Sequence, residues 1–190
     1  MDTSDFVIEL PQIEFNPNDF LSFIDNYEFK NYVSSYGNKT PQDVCYDKKL
    51  LEEDIIRHYL NIFKDFNISF DYIDASKGTG FAGWQLVAGD FRNQGLARHI
   101  DTYRPTCITF PLTFPQSIDF HETDETEDIL FTYQYPSSIV ILNSGTKSHS
   151  VSPTTDTRLQ FQFDCYNSWE EVKELVKLFK KRRKLLDFIL

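Results

Sequence analysis

Apolar residues recur with a helical period near both ends of the chain. Between residues 41 and 66 they return every three or four positions, which predicts an amphipathic helix. An Asn-Pro-Asn-Asp cap predicts a shorter helix over 16–27, and the pattern that follows an Asn-Ser pair predicts another over 169–190. Residues 5–10 alternate between apolar and polar side chains, which is typical of a short strand.

The middle of the chain changes to a period of two. Apolar and polar side chains alternate in short runs, and turn-forming residues separate these runs. A block of eight or nine short strands between helices favours a mainly β fold, an antiparallel barrel or jelly roll with supporting helices. The candidate strands are 68–74, 83–89, 96–101, 105–112, 117–121, 129–134, 137–142, 147–151 and 157–164.

Length and composition favour a single domain. The chain has 190 residues, of which 41% are apolar and 25% charged, as is typical of a globular protein. It contains no internal repeat and no low-complexity linker. We expect an N-terminal strand with supporting helices over 1–66, a jelly-roll core over 67–164 and a C-terminal helix over 165–190.

The last candidate strand has two faces of different chemistry. Leu159, Phe161 and Phe163 share one face, because alternate residues of a strand point to the same side. The opposite face carries Arg158, Gln160, Gln162 and Asp164. Such a polar face either lines a wet or ligand-filled cavity inside a barrel or faces solvent, and alternation alone does not separate the two.

Net charge narrows the class of partner. Nineteen basic against 29 acidic residues give −10 at pH 7, and a body this acidic repels phosphate backbones. Seven of the basic residues lie between Lys173 and Lys184, so the rest of the chain is more acidic still. The charge argues against a nucleic-acid groove. We interpret the basic run at 180–184 as a solvated helix face rather than a localisation signal.

Cysteine usage and the N-terminal segment indicate a cytoplasmic protein. Cys45, Cys107 and Cys165 are odd in number and far apart, and none lies in a CxxC motif. We expect reduced thiols rather than a disulfide framework or a zinc site. The N-terminal segment carries acids where a signal peptide carries basic residues, and no apolar run approaches the roughly 20 residues that span a bilayer.

The motif His99-Ile100-Asp101 is the first that carries chemistry. In an extended segment its imidazole and carboxylate point to the same side, and His149 adds a second imidazole from another predicted strand. Two histidines and a carboxylate form the facial triad of non-haem Fe(II) oxygenases, which leaves positions for a cosubstrate and O₂. Taken singly, each histidine is more simply a core or loop side chain.

Arg158 follows His149 by nine residues, across a turn and on the next predicted strand. A barrel strand in that place puts a guanidinium deeper in the same cavity, where it can bind a carboxylate bidentately. A surface salt bridge with Asp156 or Asp164 is the alternative. The order of the four residues is more specific than any of them alone.

Two segments that contain these residues resemble a known family. ARHIDTYRPTCITFPLT and VILNSGTKSHSVSPTTDTRLQFQFD are similar to the signature regions of the 2-oxoglutarate- and Fe(II)-dependent dioxygenases, over roughly residues 83–164. The second segment resembles the prolyl- and aspartyl/asparaginyl-hydroxylase-like branches. The resemblance implies a double-stranded β-helix, Fe(II) held by His99, Asp101 and His149, and Arg158 bound to the distal carboxylate of 2-oxoglutarate.

The chain departs from the family pattern two residues after this arginine. Many members have Ser or Thr there, whereas this chain has Gln160, so the usual hydroxyl partner of the distal carboxylate is missing. The candidates to replace it are Tyr103, Thr109 and Tyr133. The presence of Asp101 argues against the halogenase variant and against the two-histidine aspartyl-hydroxylase arrangement.

Substrate contacts are expected from the segments around the first histidine, with Trp84, Arg92 and Arg98 as candidates. The branch resemblance and the acidic charge favour hydroxylation of a prolyl or similar aliphatic residue in a peptide or protein, with a free amino acid as the alternative. We interpret the acidic run 119–128 as a solvated loop rather than a calcium site. The rival to an oxygenase is a cupin-like metal-binding protein that does not use 2-oxoglutarate.

Overall fold

The computed structural model describes residues 2–33, 39–65, 67, 84–91, 95–101, 104–123, 125, 128–155 and 157–187. Within these residues, the strands form two antiparallel sheets, and helices lie before β2, before β4 and after β11. The strands are β1 (Val7–Glu9), β2 (Lys30–Val33), β3 (Lys39–Cys45), β4 (Trp84–Asp90), β5 (Leu96–His99), β6 (Thr106–Pro111), β7 (Ser117–His121), β8 (Ile129–Gln134), β9 (Val140–Leu142), β10 (His149–Val151) and β11 (Thr157–Cys165). The helices are α1 (Pro17–Ile24), α2 (Asp54–Asp65) and α3 (Trp169–Asp187), with 3₁₀ turns at Thr3–Asp5 and Lys48–Glu52.

The two sheets have the strand order of a jelly roll. The larger sheet runs β1-β9-β6-β11-β4-β3-β2, and the smaller runs β5-β10-β7-β8. Every recorded pairing is antiparallel, and chain neighbours such as β9 and β10 lie in different sheets. The predicted mainly β jelly roll with flanking helices is therefore confirmed.

The outer face of the larger sheet is covered by helices. The helix α1 begins at Pro17, where the Asn16 side chain accepts a hydrogen bond from the N–H of Asn18 and caps the first turn. Its Phe20 packs against Phe110 of β6, with ring centroids 5.4 Å apart. The shared cluster is mostly aromatic; its fully buried phenylalanines are Phe20, Phe63, Phe110, Phe161 and Phe163.

The strand β11 separates this apolar layer from a polar interior. Phe161 and Phe163 belong to the helix-covered cluster and are at most 1% exposed. The opposite face is buried too, toward the smaller sheet; its residues are Arg158, Gln160, Gln162 and Asp164. The polar face thus lines the interior of the fold and does not face solvent.

The helix predicted over 41–66 is wrong in its first half. Residues up to Cys45 form β3, which pairs with both β2 and β4, and α2 begins only at Asp54. Between them, the Asp47 side chain caps a 3₁₀ turn, and Glu53 returns to an extended conformation that ends it. Pairing with strands on both sides outweighed a local helical pattern.

The remaining predicted elements are found with shifted ends. The helix α3 ends at Asp187 and begins with a reciprocal cap, in which the Ser168 N–H donates to Glu171 and the Glu171 N–H donates back to the Ser168 hydroxyl. The candidate strand 68–74 lies outside the described residues. All three cysteines are free and buried. Across the described part of the chain, no helix combines the length and apolarity that crossing a bilayer requires.

Candidate metal centre

Two histidines lie side by side on neighbouring strands of the smaller sheet. His99 ends β5, His149 begins β10, and the two are antiparallel partners with ring centroids 4.3 Å apart. The Asp101 carboxylate joins them: its Oδ1 is 3.6 Å from Nε2 of His99, and its Oδ2 is 3.7 Å from Nε2 of His149. One candidate ligand atom from each residue lies within 4.8 Å of the others. The structure therefore brings together the three residues that the sequence singled out.

Backbone carbonyls orient both imidazoles. Nδ1 of His99 lies 2.8 Å from the carbonyl oxygen of Ala97, and Nδ1 of His149 lies 3.0 Å from that of Lys147. A carbonyl only accepts, so each Nδ1 carries the proton and donates it. Both Nε2 atoms are left with a free lone pair directed at Asp101. This outer-shell arrangement is common for metal-binding histidines.

The protonation states of His149 and Asp101 also suit the binding of a cation. Burial, and then the neighbouring His99, lower the pKa of His149 to about 4, so its imidazole is neutral at pH 7. Burial alone would raise the pKa of Asp101, but the neighbouring Arg104 guanidinium helps to outweigh it, and that pKa is lowered. A neutral imidazole beside an ionised carboxylate suits a divalent transition metal such as Fe(II).

Arg104 is the closest charged neighbour of this cluster. Its Nε donates to Oδ2 of Asp101 at 2.7 Å, and one terminal nitrogen donates to Asp164 at 3.0 Å and to Gln162 at 3.1 Å. The guanidinium thus joins the loop after His99 to the polar face of β11. From the sequence, Arg104 is one of the residues that flank the proposed metal site, and its hydrogen bond to Asp101 is seen only in the structure.

Arg158 is buried without a carboxylate partner among the described residues, which do not include Asp156. The residue is only 6% exposed, and no described acidic residue forms an ion pair with its guanidinium within 4.0 Å. Its Nε lies 3.5 Å from the amide oxygen of Gln116, and the Tyr135 side chain is a close neighbour. Burial lowers the pKa of Arg158. A charge held in this way is costly unless an anion joins it.

Aromatic rings form the apolar walls around this guanidinium. The rings of Phe91 and Tyr135 have centroids 5.5 and 5.6 Å from its central carbon. Gly89, the register partner of Arg158, makes room for one of them, because a Cβ there would collide with the Phe91 ring. The guanidinium therefore lies in a buried, partly aromatic environment, where a positive charge suits a carboxylate.

A chain of hydrogen-bonded side-chain amides connects the Arg158 guanidinium to the His–Asp–His cluster. Gln116 accepts from Gln160 at 2.6 Å, and Gln160 in turn accepts from Gln162 at 2.9 Å. Gln162 accepts from Arg104, which binds Asp101. The amide of Gln160 is thus used within this chain, which explains how a glutamine is accommodated at a position where the family pattern has Ser or Thr.

The three candidates for the missing hydroxyl have different outcomes. Thr109 is buried on β6, and its hydroxyl lies 3.7 Å from the thiol of Cys107. The hydroxyl of Tyr133 donates to Glu9 at 2.9 Å and so is not available to Arg158. Tyr103 lies outside the described residues. The hydroxyl beside Arg158 belongs to Tyr135, two residues beyond Tyr133 on the same side by alternation, and the sequence analysis missed it.

The substrate candidates are less well defined. Arg98 lies on β5 next to His99, on the opposite side by alternation, and is half-buried. Trp84 begins β4 in register with Phe163, but its side chain lies outside the described part, as does all of Arg92. A role for these three in substrate binding stays a prediction.

The acidic run 119–128 is not wholly a solvated loop. Asp119 and His121 lie on β7 and are 2% and 6% exposed. Asp119 accepts hydrogen bonds from the hydroxyls of Thr132 and Ser152, and Nε2 of His121 lies 2.7 Å from the Ser150 hydroxyl. Strand pairing buries the start of the run, while Glu122, Glu125 and Asp128 are exposed as expected.

Comparison with known proteins finds no matching protein family and no matching curated sequence. Among solved structures, the chain is similar to a prolyl hydroxylase from Trichoplax adhaerens in complex with a peptide fragment of the hypoxia-inducible factor oxygen degradation domain. The TM-score is 0.56 at 13% identity, over 86% of this chain and 84% of that one.

Two further solved structures match less closely. A Pseudomonas putida prolyl-4-hydroxylase has a TM-score of 0.49 at 13% identity, over 78% of this chain and 82% of the other. The protein called IDO from Bacillus thuringiensis has a TM-score of 0.46 at 11% identity, over 85% and 93%. Identity this low establishes the fold alone. The resemblance seen in the sequence is confirmed at that level: this chain has a fold like that of the 2-oxoglutarate- and Fe(II)-dependent oxygenases, with a His–Asp–His cluster at its smaller sheet.

Proposed function

We propose that the protein is a 2-oxoglutarate- and Fe(II)-dependent oxygenase that hydroxylates an aliphatic C–H bond of an amino-acid side chain. The observation that carries the proposal is the buried guanidinium of Arg158, which has no carboxylate partner among the described residues and connects by hydrogen bonds to the His–Asp–His cluster. A metal-binding protein that does not use 2-oxoglutarate has no need for a second site that binds an anion.

Each group of residues has a separate task in this proposal. His99, Asp101 and His149 hold Fe(II), which when bound supplies the oxidising chemistry with O₂ and 2-oxoglutarate. Arg158 and the hydroxyl of Tyr135 bind the distal carboxylate of 2-oxoglutarate. Phe120 packs near His149, with ring centroids 6.4 Å apart, and helps to exclude water from the interior.

For the substrate we propose a prolyl or similar aliphatic residue in a peptide. The net charge of −10 attracts basic peptides and repels nucleic acids. The Trichoplax neighbour was solved with a peptide, and its fold similarity to this chain supports that class. Free amino acids are the alternative that the substrate assay distinguishes.

The proposal is tested by spectroscopy and by product analysis. Anaerobic addition of Fe(II) and 2-oxoglutarate to the purified protein should produce a weak visible charge-transfer band that neither component gives alone. In air, succinate should form, and proline-containing peptides should gain the mass of one oxygen. Free amino acids and methylated oligonucleotides serve as comparison substrates. Absence of both the band and succinate would contradict the oxygenase, whereas turnover of oligonucleotides alone would contradict only the substrate class.

Tyr135→Phe is expected to weaken 2-oxoglutarate binding about tenfold, because a buried hydrogen bond to a charged group contributes about 1.5 kcal/mol. The measurement is calorimetric titration of the Mn(II)-loaded protein with the inert analogue N-oxalylglycine. Tyr133→Phe is the matched control, since the hydroxyl of that neighbouring tyrosine binds Glu9 instead. Equal affinities for the two variants would exclude Tyr135 from the cosubstrate site.

A further inference from the structure

The two oxygens of the Asp101 carboxylate have different environments. Oδ2 accepts a hydrogen bond from Nε of Arg104 at 2.7 Å. Oδ1 accepts none from the described residues and lies 3.6 Å from Nε2 of His99. One oxygen is therefore bound to a protein cation, while the other accepts no hydrogen bond from the described residues. Each oxygen lies near one imidazole, Oδ1 near His99 and Oδ2, at 3.7 Å, near Nε2 of His149.

The guanidinium that holds Oδ2 is itself fixed. Its terminal nitrogen donates to Asp164 and to Gln162, both on β11, and its side chain is only 20% exposed. Arg104 also has its carbonyl oxygen bonded by the Ser144 hydroxyl at 3.3 Å. Because the planar Arg104 guanidinium is hydrogen-bonded on both sides, it cannot move with the Asp101 carboxylate if that carboxylate rotates.

We propose that Arg104 is a positioning residue that restricts Asp101 to binding the metal through Oδ1 alone. This inference rests on the metal centre of the proposed function. A carboxylate that gave both oxygens would occupy one of the positions that the proposed function needs for the cosubstrate or O₂. By keeping Oδ2 in a charge-assisted hydrogen bond, Arg104 preserves that open position.

The test counts the water molecules bound to Mn(II) in the protein by electron paramagnetic resonance in H₂¹⁷O. The critical pair is Asp164→Asn and the double variant Arg104→Gln/Asp164→Asn. The single variant retains the hydrogen bond to Asp101, and we expect it to bind as many waters as the wild type. In the double variant Oδ2 is released, so we expect one bound water fewer and N-oxalylglycine affinity about tenfold lower.

The double variant is chosen because Arg104→Gln alone would leave Asp164 buried without its partner and could unfold the protein. Circular dichroism of each variant checks the fold. Arg104→Lys, which keeps a charged donor, should retain the wild-type water count. Equal water counts in the critical pair overturn the inference, as does loss of Mn(II) binding in the double variant, because a freed carboxylate should bind at least as tightly. A wild-type protein that binds no Mn(II) instead contradicts the proposed metal centre.

Discussion

Replacing Arg158 with methionine should abolish 2-oxoglutarate binding without reducing the thermal stability of the protein. Removing one partner of a buried charge pair costs about 3–5 kcal/mol, so the affinity for N-oxalylglycine should fall about 10²- to 10³-fold or more. Mn(II) affinity should not change, because Arg158 contacts glutamine and tyrosine side chains rather than the His–Asp–His cluster. Calorimetric titrations with Mn(II) and with N-oxalylglycine measure the two affinities separately.

The expected stability follows from the same burial. Burial lowers the pKa of Arg158, which means that the folded protein holds this charge at a cost relative to the unfolded chain. A methionine of similar volume removes that cost, so the melting temperature without ligand should equal or exceed that of the wild type. Arg57→Met, at an exposed ion pair on α2, is the control and should leave both properties unchanged. Unchanged N-oxalylglycine affinity in Arg158→Met would favour the cupin-like alternative.

Phe110→Ala should be among the most destabilising single substitutions, lowering the free energy of unfolding by about 3–5 kcal/mol. Phe110 is fully buried on β6, on the face of the larger sheet that the helices cover. The substitution to alanine removes all of its ring contacts. Its ring neighbours are Phe15, Phe20, Tyr59, Phe63, Phe161 and Phe163. Urea titration followed by circular dichroism measures the change.

Phe114→Ala provides the comparison for this prediction, because Phe114 is 43% exposed. Its substitution should change the free energy of unfolding by less than about 1 kcal/mol. A similar small effect at Phe110 would mean that the helix layer contributes little to the stability of the fold.

The sequence predicted most of the β architecture because period-two alternation is a local property that survives in the folded state. Leu159, Phe161 and Phe163 did turn to the apolar layer, whereas the pattern left open whether the polar residues between them face a cavity or solvent, and the structure buries them. The pattern failed over 41–53, where β3 forms between two other strands. Pairing with strands elsewhere in the chain determines the conformation of that segment, and the local spacing of apolar residues does not reveal those strands.

The features of the candidate site also fall into those that the sequence predicted and those that only the structure shows. The convergence of His99 with Asp101 follows from their spacing on an extended chain, and His149 could be added because its residue type and order fit the chemistry. The contacts of Arg104 with Gln162 and Asp164, the hydroxyl of Tyr135 beside Arg158 and the bond between Gln160 and Gln116 each join residues from different segments. The sequence by itself determined which residues are candidates to bind a metal and an anion. Only the tertiary structure decided which neighbours orient them, because those contacts depend on how the two sheets pack.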